Sequence, residues 1–175
     1  MSRRRTRRSN SILPRAPFSE PLESRIMLYQ HYSGDPHWQF GDRNLTFSYT
    51  NALDGGLAGI NATQIQNSVN EALALWSAVI PWTFTRVFDP DTNFVTDETY
   101  SASGWPIIRI GQHNIDGPRN TLAHGFRPGS NGINGDFHFD ISEQWTANPT
   151  AGVWPPYDPL ETVLHEMGHV LGLDH

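Results

Sequence analysis

Residues 165–175 read HEMGHVLGLDH and are the most informative stretch of this chain. In a helix, His165 and His169 lie one turn apart on the same face, so both imidazoles can reach one metal ion. Gly172 suits the left-handed conformation that ends a helix, and a sharp turn after it can bring His175 back as a third ligand. Three protein ligands with a fourth position left open define a catalytic zinc site.

The residue after the first histidine adds acid–base chemistry to this pattern. Glu166 is placed to accept a proton from a water activated by the metal and to return it to the leaving amine of a peptide bond. The chain contains no Cys, so disulfides are excluded and any zinc must be held by histidine and carboxylate. An ordinary surface helix is the alternative, but Gly168 would cost such a helix about 1 kcal/mol.

The charge of the chain is unevenly distributed. All twelve basic residues are Arg; seven lie in residues 1–25, whereas residues 26–175 hold five Arg against sixteen acids. This acidic part disfavours nucleic acid as a partner and suits the binding of hard cations. No apolar run approaches the roughly 18 residues needed to span a membrane.

Residues 1–30 form a basic N-terminal arm that contains Pro and Ser and shows no hydrophobic periodicity. Two interpretations stay open, a disordered tail and an export segment. The apolar stretch of a conventional signal peptide is missing, but PLESRIML (residues 21–28), after an Arg cluster, resembles an N-terminal motif of exported proteins in some bacteria. A nucleic-acid-binding arm is disfavoured because no aromatic residue is interleaved with the arginines.

The rest of the chain alternates between strand and helix patterns. A helix is predicted to start at Asn61 or Thr63, to end before Pro81 and to bury a stripe formed by Ile65, Val69, Leu73 and Trp76. Strands are predicted within residues 45–49, 82–87, 107–110, 122–126 and 136–140, an exposed loop over 89–105 and a last helix over about 159–171. This order predicts an α+β fold with helices packed on a mixed sheet.

The motif HExxHxxGxxH is the metzincin signature, and residues 165–175 match it at every fixed position. Upstream, DGP (116–118), LAHGF (122–126), PG (128–129), GDFHFD (135–140) and EQW (143–145) are similar to the matrixin catalytic domain. The resemblance implies a zincin fold over residues 36–175, with a twisted five-stranded sheet, an antiparallel edge strand, a long helix and an active-site helix. On this resemblance the domain is truncated at the third zinc ligand, before the Met-containing turn that matrixins carry.

The resemblance also implies structural ions. A second zinc would be held by His113, His124 and His138; the family's next ligand, an Asp, is replaced here by Ile115, which leaves the fourth ligand open. Calcium would be bound by acidic side chains that match the family's ligands, namely Asp116, Asp140 and Glu143 at one site and Asp136 at a second.

The implied function is that of a secreted or cell-surface, monomeric zinc endopeptidase acting on extracellular proteins. Leu122 and Ala123, in the edge strand, would bind extended substrate by strand addition. Animal matrixins are held latent by a propeptide cysteine; because this sequence contains no Cys, we do not expect that mechanism here. Two other functions stay open: a metal-stabilised binding or surface module without turnover, which Glu166 disfavours, and a zinc hydrolase of small substrates.

Overall fold

The computed structural model describes residues 38, 43–89, 107–129 and 133–175. The basic arm and residues 90–105 of the predicted loop lie outside these described residues. In chain order the elements are β1 (Asn44–Tyr49), α1 (Ala62–Val79), β2 (Thr83–Arg86), β3 (Ile108–His113), β4 (Ala123–Gly125), β5 (Phe137–Asp140) and α2 (Pro159–Val170). The predicted order of strands and helices is therefore confirmed.

The five strands form one mixed sheet in the order β2-β1-β3-β5-β4. Four of them run parallel, and β4 pairs with β5 in the antiparallel direction, with His124 opposite His138. Since β4 pairs with no other strand of the described residues, it forms one edge of this sheet. The predicted five-stranded mixed sheet with an antiparallel edge strand is confirmed.

Helix α1 begins at a capping box, in which the Asn61 side chain accepts from the backbone N–H of Gln64 while the Gln64 side chain accepts from that of Asn61. Asn61, rather than Thr63, is thus the N-cap. The predicted stripe faces the core, since Ile65, Val69 and Leu73 are buried and Trp76 packs against the core at its edge. No described helix is both long and apolar enough to cross a membrane.

Helices α1 and α2 pack against each other and against the sheet. The indole N–H of Trp76 donates to the carbonyl of Leu164 at 3.2 Å, which joins the two helices. Val163 and Met167 of α2 are fully buried in the same apolar cluster as Phe139 of β5. This packing turns one face of α2 into the core and leaves His165 exposed on the other.

One sequence expectation is wrong at the start of the predicted loop. Asp89 was expected to be exposed, but it is 8% exposed and its carboxylate accepts from Nε of the fully buried Arg109 at 2.9 Å. The hydroxyls of Ser48 and Thr50 donate to the same carboxylate oxygen. Burying an unpaired charge is very costly, so the buried Arg109 in β3 needs a carboxylate beside it. This need explains why Asp89 is buried next to it.

Candidate functional site

Helix α2 brings the first two histidines of the motif into position. Its N-cap is Asp158, whose side chain accepts from the backbone N–H of Leu160, and Pro159 follows at the first helical position. Both histidines lie in this helix, and the rings of His165 and His169 have their centroids 5.0 Å apart. The predicted same-face arrangement of these two rings is confirmed.

The helix ends as the sequence predicts and returns the third histidine. Gly172 adopts a φ of 103°, and the backbone N–H of Leu173 donates to Gly168 O at 2.9 Å. The turn places His175 Nε2 3.3 Å from His165 Nε2. One nitrogen from each of the three histidines of this group lies within 4.8 Å of the other two.

A hydrogen bond orients one of these rings for metal binding. Nδ1 of His169 lies 3.0 Å from the carbonyl oxygen of Leu173, which can only accept, so Nδ1 carries the proton. The lone pair of Nε2 is then available to a metal, the usual arrangement for a ligating histidine. Three converging imidazoles fit a zinc ion and leave one tetrahedral position free.

Glu166 is held beside this group by the edge strand. Its Oε2 accepts from the backbone N–H of Gly125 at 2.7 Å. Burial raises the pKa of Glu166, although the Gly125 N–H and the nearby His169 and His175 act in the opposite direction. The approach is so close that a Cβ on Gly125 would overlap the carbonyl oxygen of Glu166.

The backbone of β4 faces two directions. The N–H of Phe126 donates to Asp136 O, and Leu122 O accepts from the N–H of Asp140, so these residues face β5. Because backbone groups alternate along an antiparallel strand, Ala123 and Gly125 face the free edge. Of the two predicted substrate-binding residues, Ala123 therefore presents its backbone to the free edge, and both Leu122 and Ala123 line the cleft.

A cleft of about 800 Å³ runs between β4 and α2. Its walls include the three histidines, Glu166 and the residues of β4. On its rim, Trp154 is 71% exposed, and Arg127 pairs with Asp174 at 3.0 Å. The cleft has the concave shape and convergent polar groups of a ligand site.

A second histidine group lies across three strands. Nδ1 of His138 is 3.1 Å from His124 Nε2 and 3.3 Å from His113 Nε2. Burial lowers the pKa of His138 to about 2, with the charges of His124, His113 and Arg109 acting in the same direction. The three nitrogens converge as the sequence predicts, and a neutral imidazole is the form that binds zinc.

The predicted calcium ligands are placed in two different surroundings. Asp140 and Glu143 are buried, and their carboxylates accept backbone N–H groups of Asp116, Ser142, Arg119 and Asn120. Burial opposes ionisation of Asp140, but these hydrogen bonds outweigh it and lower its pKa. Asp116 lies nearby and accepts from Thr121. Among the described residues, these carboxylates do not converge as tightly as the two histidine groups.

The fourth predicted calcium ligand, Asp136, faces the sheet interior. It is 1% exposed, and its Oδ1 accepts from the backbone N–H of Arg109 at 3.0 Å. Burial raises the pKa of Asp136 to about 8. The predicted second calcium site therefore rests on a carboxylate that is buried and bonded to the backbone of β3.

Sequence analysis did not single out Gly125 or Asp174 as parts of the site. Gly125 belongs to the quoted LAHGF stretch, but its contact with Glu166 spans 41 positions and arises only from tertiary packing. The Arg127–Asp174 pair ties the turn before His175 to the segment after β4. Neither role leaves a local sequence signal.

Comparison with known proteins agrees with this geometry. The Matrixin family (Peptidase_M10) matches residues 37–175. Interstitial collagenase of Sus scrofa is 33% identical over 146 residues, which cover 81% of this chain and 26% of the collagenase. Matrix metalloproteinase-20 of Homo sapiens is 30% identical over 148 residues, covering 84% of this chain and 27% of that protein.

Stromelysin-3 of Mus musculus is 39% identical over 112 residues, covering 64% of this chain and 20% of that protein. The chain thus spans about a quarter of the length of the curated relatives it matches. With the family match over most of its length, the chain belongs to the matrixin family, peptidase M10.

Proposed function

We propose that this chain is a zinc-dependent endopeptidase that hydrolyses peptide bonds of extracellular proteins. The observation that carries the proposal is the position of Glu166, whose carboxylate is anchored by Gly125 beside three converging imidazoles. Glu166 belongs to none of the histidine groups, so a site that only bound metal would not need it. Membership of the matrixin family supports the same conclusion.

The histidines and Glu166 would have different roles in hydrolysis. His165, His169 and His175 would hold the zinc, which supplies a Lewis acid that activates water and stabilises the developing oxyanion. Gly125 orients the Glu166 carboxylate through Oε2, and this carboxylate would take the proton from the attacking water. Glu166 then gives this proton to the amine nitrogen as the carbon–nitrogen bond breaks.

The free edge of β4 would position the substrate. An extended peptide can add to this edge through backbone hydrogen bonds with Ala123 and with the carbonyl of Gly125. Because the Gly125 N–H points from the same edge to Glu166, a peptide paired there runs past the proton acceptor. Alignment of this kind lowers the entropic cost of reaching the transition state.

The test compares Glu166→Ala with Glu161→Ala, an exposed acid on the same helix that also lines the cleft. Zinc content is measured by mass spectrometry, and cleavage by a quenched peptide library. We expect Glu166→Ala to keep its zinc and to lose roughly 10²–10⁴-fold or more in kcat/KM, as loss of a general base predicts. Glu161→Ala is expected to keep both.

Loss of zinc together with activity in Glu166→Ala would contradict its role as a proton acceptor. Stoichiometric zinc without cleavage in the parent chain would instead favour a metal-stabilised binding or surface module. Cleavage of small esters but of no peptide would favour a hydrolase of small substrates.

Calcium is a further part of this proposal. The buried carboxylates of Asp140 and Glu143 beside the Gly117 turn support a cation site in this loop, with Asp116 at its rim. Calcium binding to the folded state alone would raise the thermal midpoint of the zinc-loaded chain, and Glu143→Gln would remove the increase. No increase in the parent chain would exclude the site.

We also propose that residues 36–175 form the catalytic domain and that the chain is secreted by a bacterium, with residues 1–30 as a basic arm or export segment. The support is the family match over residues 37–175 and the PLESRIML stretch at residues 21–28. A fusion of residues 1–30 to a reporter protein tests secretion: cell fractionation should find the fusion outside the cytoplasm. Retention of the fusion inside the cell would rule out an export role for these residues.

A further inference from the structure

The third histidine of the candidate site lies beyond the helix that carries the first two. Helix α2 ends at Val170, and the backbone N–H of Leu173 closes the turn after it by donating to Gly168 O at 2.9 Å. His175 follows two residues later and is exposed. A functional side chain must be held within about 0.5 Å of its productive position. The position of this histidine therefore depends on contacts made after the helix ends.

Asp174 makes such contacts with both of its carboxylate oxygens. Its Oδ1 accepts from the backbone N–H of His175 at 3.1 Å, and its Oδ2 accepts from Nη1 of Arg127 at 3.0 Å. Hydrogen bonds between two ionised groups are stronger than those between neutral groups. The carboxylate therefore joins the backbone of the third histidine to a side chain 47 positions earlier in the chain.

The arginine is itself attached to the sheet. Arg127 lies two residues after β4, and its backbone carbonyl accepts from Nδ2 of Asn134 at 2.8 Å. Beside it, the backbone N–H of Gly135 donates to Phe126 O at 2.9 Å. These bonds hold the segment after β4 against the segment that leads into β5. Through Asp174 and Arg127, His175 is thus connected to the edge of the sheet.

We propose that the Arg127–Asp174 ion pair positions the third zinc ligand. Asp174 holds the backbone of His175, and Arg127 holds Asp174, so His175 loses less conformational freedom when it binds a metal. The two side chains are 47% and 73% exposed, and both residues line the cleft. The inference rests on the proposed function only in assigning zinc to the histidines of α2 and its following turn.

The sign of one effect separates positioning from simple electrostatics. Arg127 carries a positive charge on the wall of a cleft that would hold a cation. Removing a nearby positive charge should strengthen zinc binding through space, whereas removing a positioning residue should weaken it. Loss of Asp174 weakens zinc binding on either ground. Arg127 is therefore the informative position.

The test measures zinc affinity by competition with a chelator, on the parent chain and its variants. The ion of this site is the one whose binding is weakened most in His165→Ala. We expect Arg127→Ala to raise its dissociation constant roughly two- to fivefold, the range of an exposed ion pair. Asp174→Ala loses both contacts and should raise it roughly tenfold or more. Arg127→Lys keeps the charge and should recover part of the loss.

Two controls isolate the ion pair. Glu161→Gln removes a negative charge from an exposed residue that lines the same cleft, and it should change the dissociation constant by no more than about twofold. In about 1 M salt, most of the effect of Arg127→Ala should disappear, because exposed charges are then screened. Circular dichroism without zinc should give the same spectrum for each variant and the parent.

The double variant Arg127→Ala with Asp174→Ala completes the test. Because Arg127 acts through Asp174, the double variant should bind zinc no more weakly than Asp174→Ala alone. Unchanged or tighter zinc binding in Arg127→Ala, or losses that add in the double variant, would overturn the inference. Peptide cleavage is measured separately. A parent chain whose zinc affinity depends on the pair but which cleaves no peptide would support the positioning role and contradict the proposed function.

Discussion

At the scale of single residues, glycine decides where two backbones can meet. Gly125 lies so close to α2 that its N–H reaches the Glu166 carboxylate, which is how the edge strand orients the proposed proton acceptor. Gly59 plays a similar part outside the site. Its φ is 85°, and a Cβ there would overlap the carbonyl oxygen of Trp145, whose own N–H donates to Ala58.

Substitution at Gly59 tests the importance of this close approach. Gly59→Ala combines a left-handed backbone with a backbone clash, and we expect it to lower the free energy of unfolding by roughly 2–5 kcal/mol. Gly55→Ala is the matched control, because Gly55 has a φ of 90° and open space around it. It should cost only about 1–2 kcal/mol. Equal losses in urea denaturation would show that the Trp145 contact does not matter.

At the scale of elements, each helix starts at a side chain that accepts a backbone N–H of its first turn. Helix α1 starts with reciprocal hydrogen bonds between Asn61 and Gln64, and α2 starts with Asp158 and Pro159. The C-terminal end of α2 contributes to the candidate site, since its Gly172 turn returns His175 toward His165. The C-terminal end of α1 contributes no residue to that site.

The capping box of α1 can be tested without touching the site. Asn61→Ala removes the side-chain acceptor for an otherwise unsatisfied N–H, so we expect a loss of about 1 kcal/mol in the free energy of unfolding. The exposed Thr63, one position into the helix, is the control, and Thr63→Ala should change stability by less than about 0.5 kcal/mol. If Thr63→Ala were the more damaging change, the cap would be misassigned.

Sequence reasoning succeeded where an element is determined by its own residues. The α1 stripe and the Gly172 turn follow from local chemistry and agree with the sequence predictions, and Asn61 is one of the two caps that the sequence offers. It failed at Asp89, because a polar, turn-rich segment is ordinarily exposed and nothing local reveals a partner twenty positions away in Arg109. Contacts of similar range decide how tightly Asp116, Asp140 and Glu143 converge at the first predicted calcium site, so their residue types alone do not determine that site.

At the scale of the whole molecule, a few polar contacts join the sheet to its helices. The hydroxyl of Tyr49, at the end of β1, lies 3.2 Å from Asn70 Oδ1 and 3.4 Å from Gln66 O in α1. Arg86 of β2 lies over the same ring, 4.9 Å from its centroid. Burial raises the pKa of Tyr49, an effect that Arg86 only partly opposes.

This contact makes the stability of the fold sensitive to alkaline pH. Above the unfolded-state pKa of about 10, an unfolded Tyr49 loses its proton while the folded one keeps it, so the free energy of unfolding falls as pH rises. Tyr49→Phe cannot show this loss. The stability advantage of the parent over Tyr49→Phe, from urea midpoints, should shrink between about pH 8 and about pH 11. A constant difference would mean that the Tyr49 pKa is not raised.

The short β4 has a consequence for aggregation. An unpaired sheet edge can recruit other chains as readily as a substrate, and the segments that stack into amyloid are typically six or seven residues long. Strand β4 spans only Ala123–Gly125, and one of its outward N–H groups is already taken by Glu166. The described edge therefore offers room for the one short peptide that the proposed function requires, but too few backbone groups to template a growing stack.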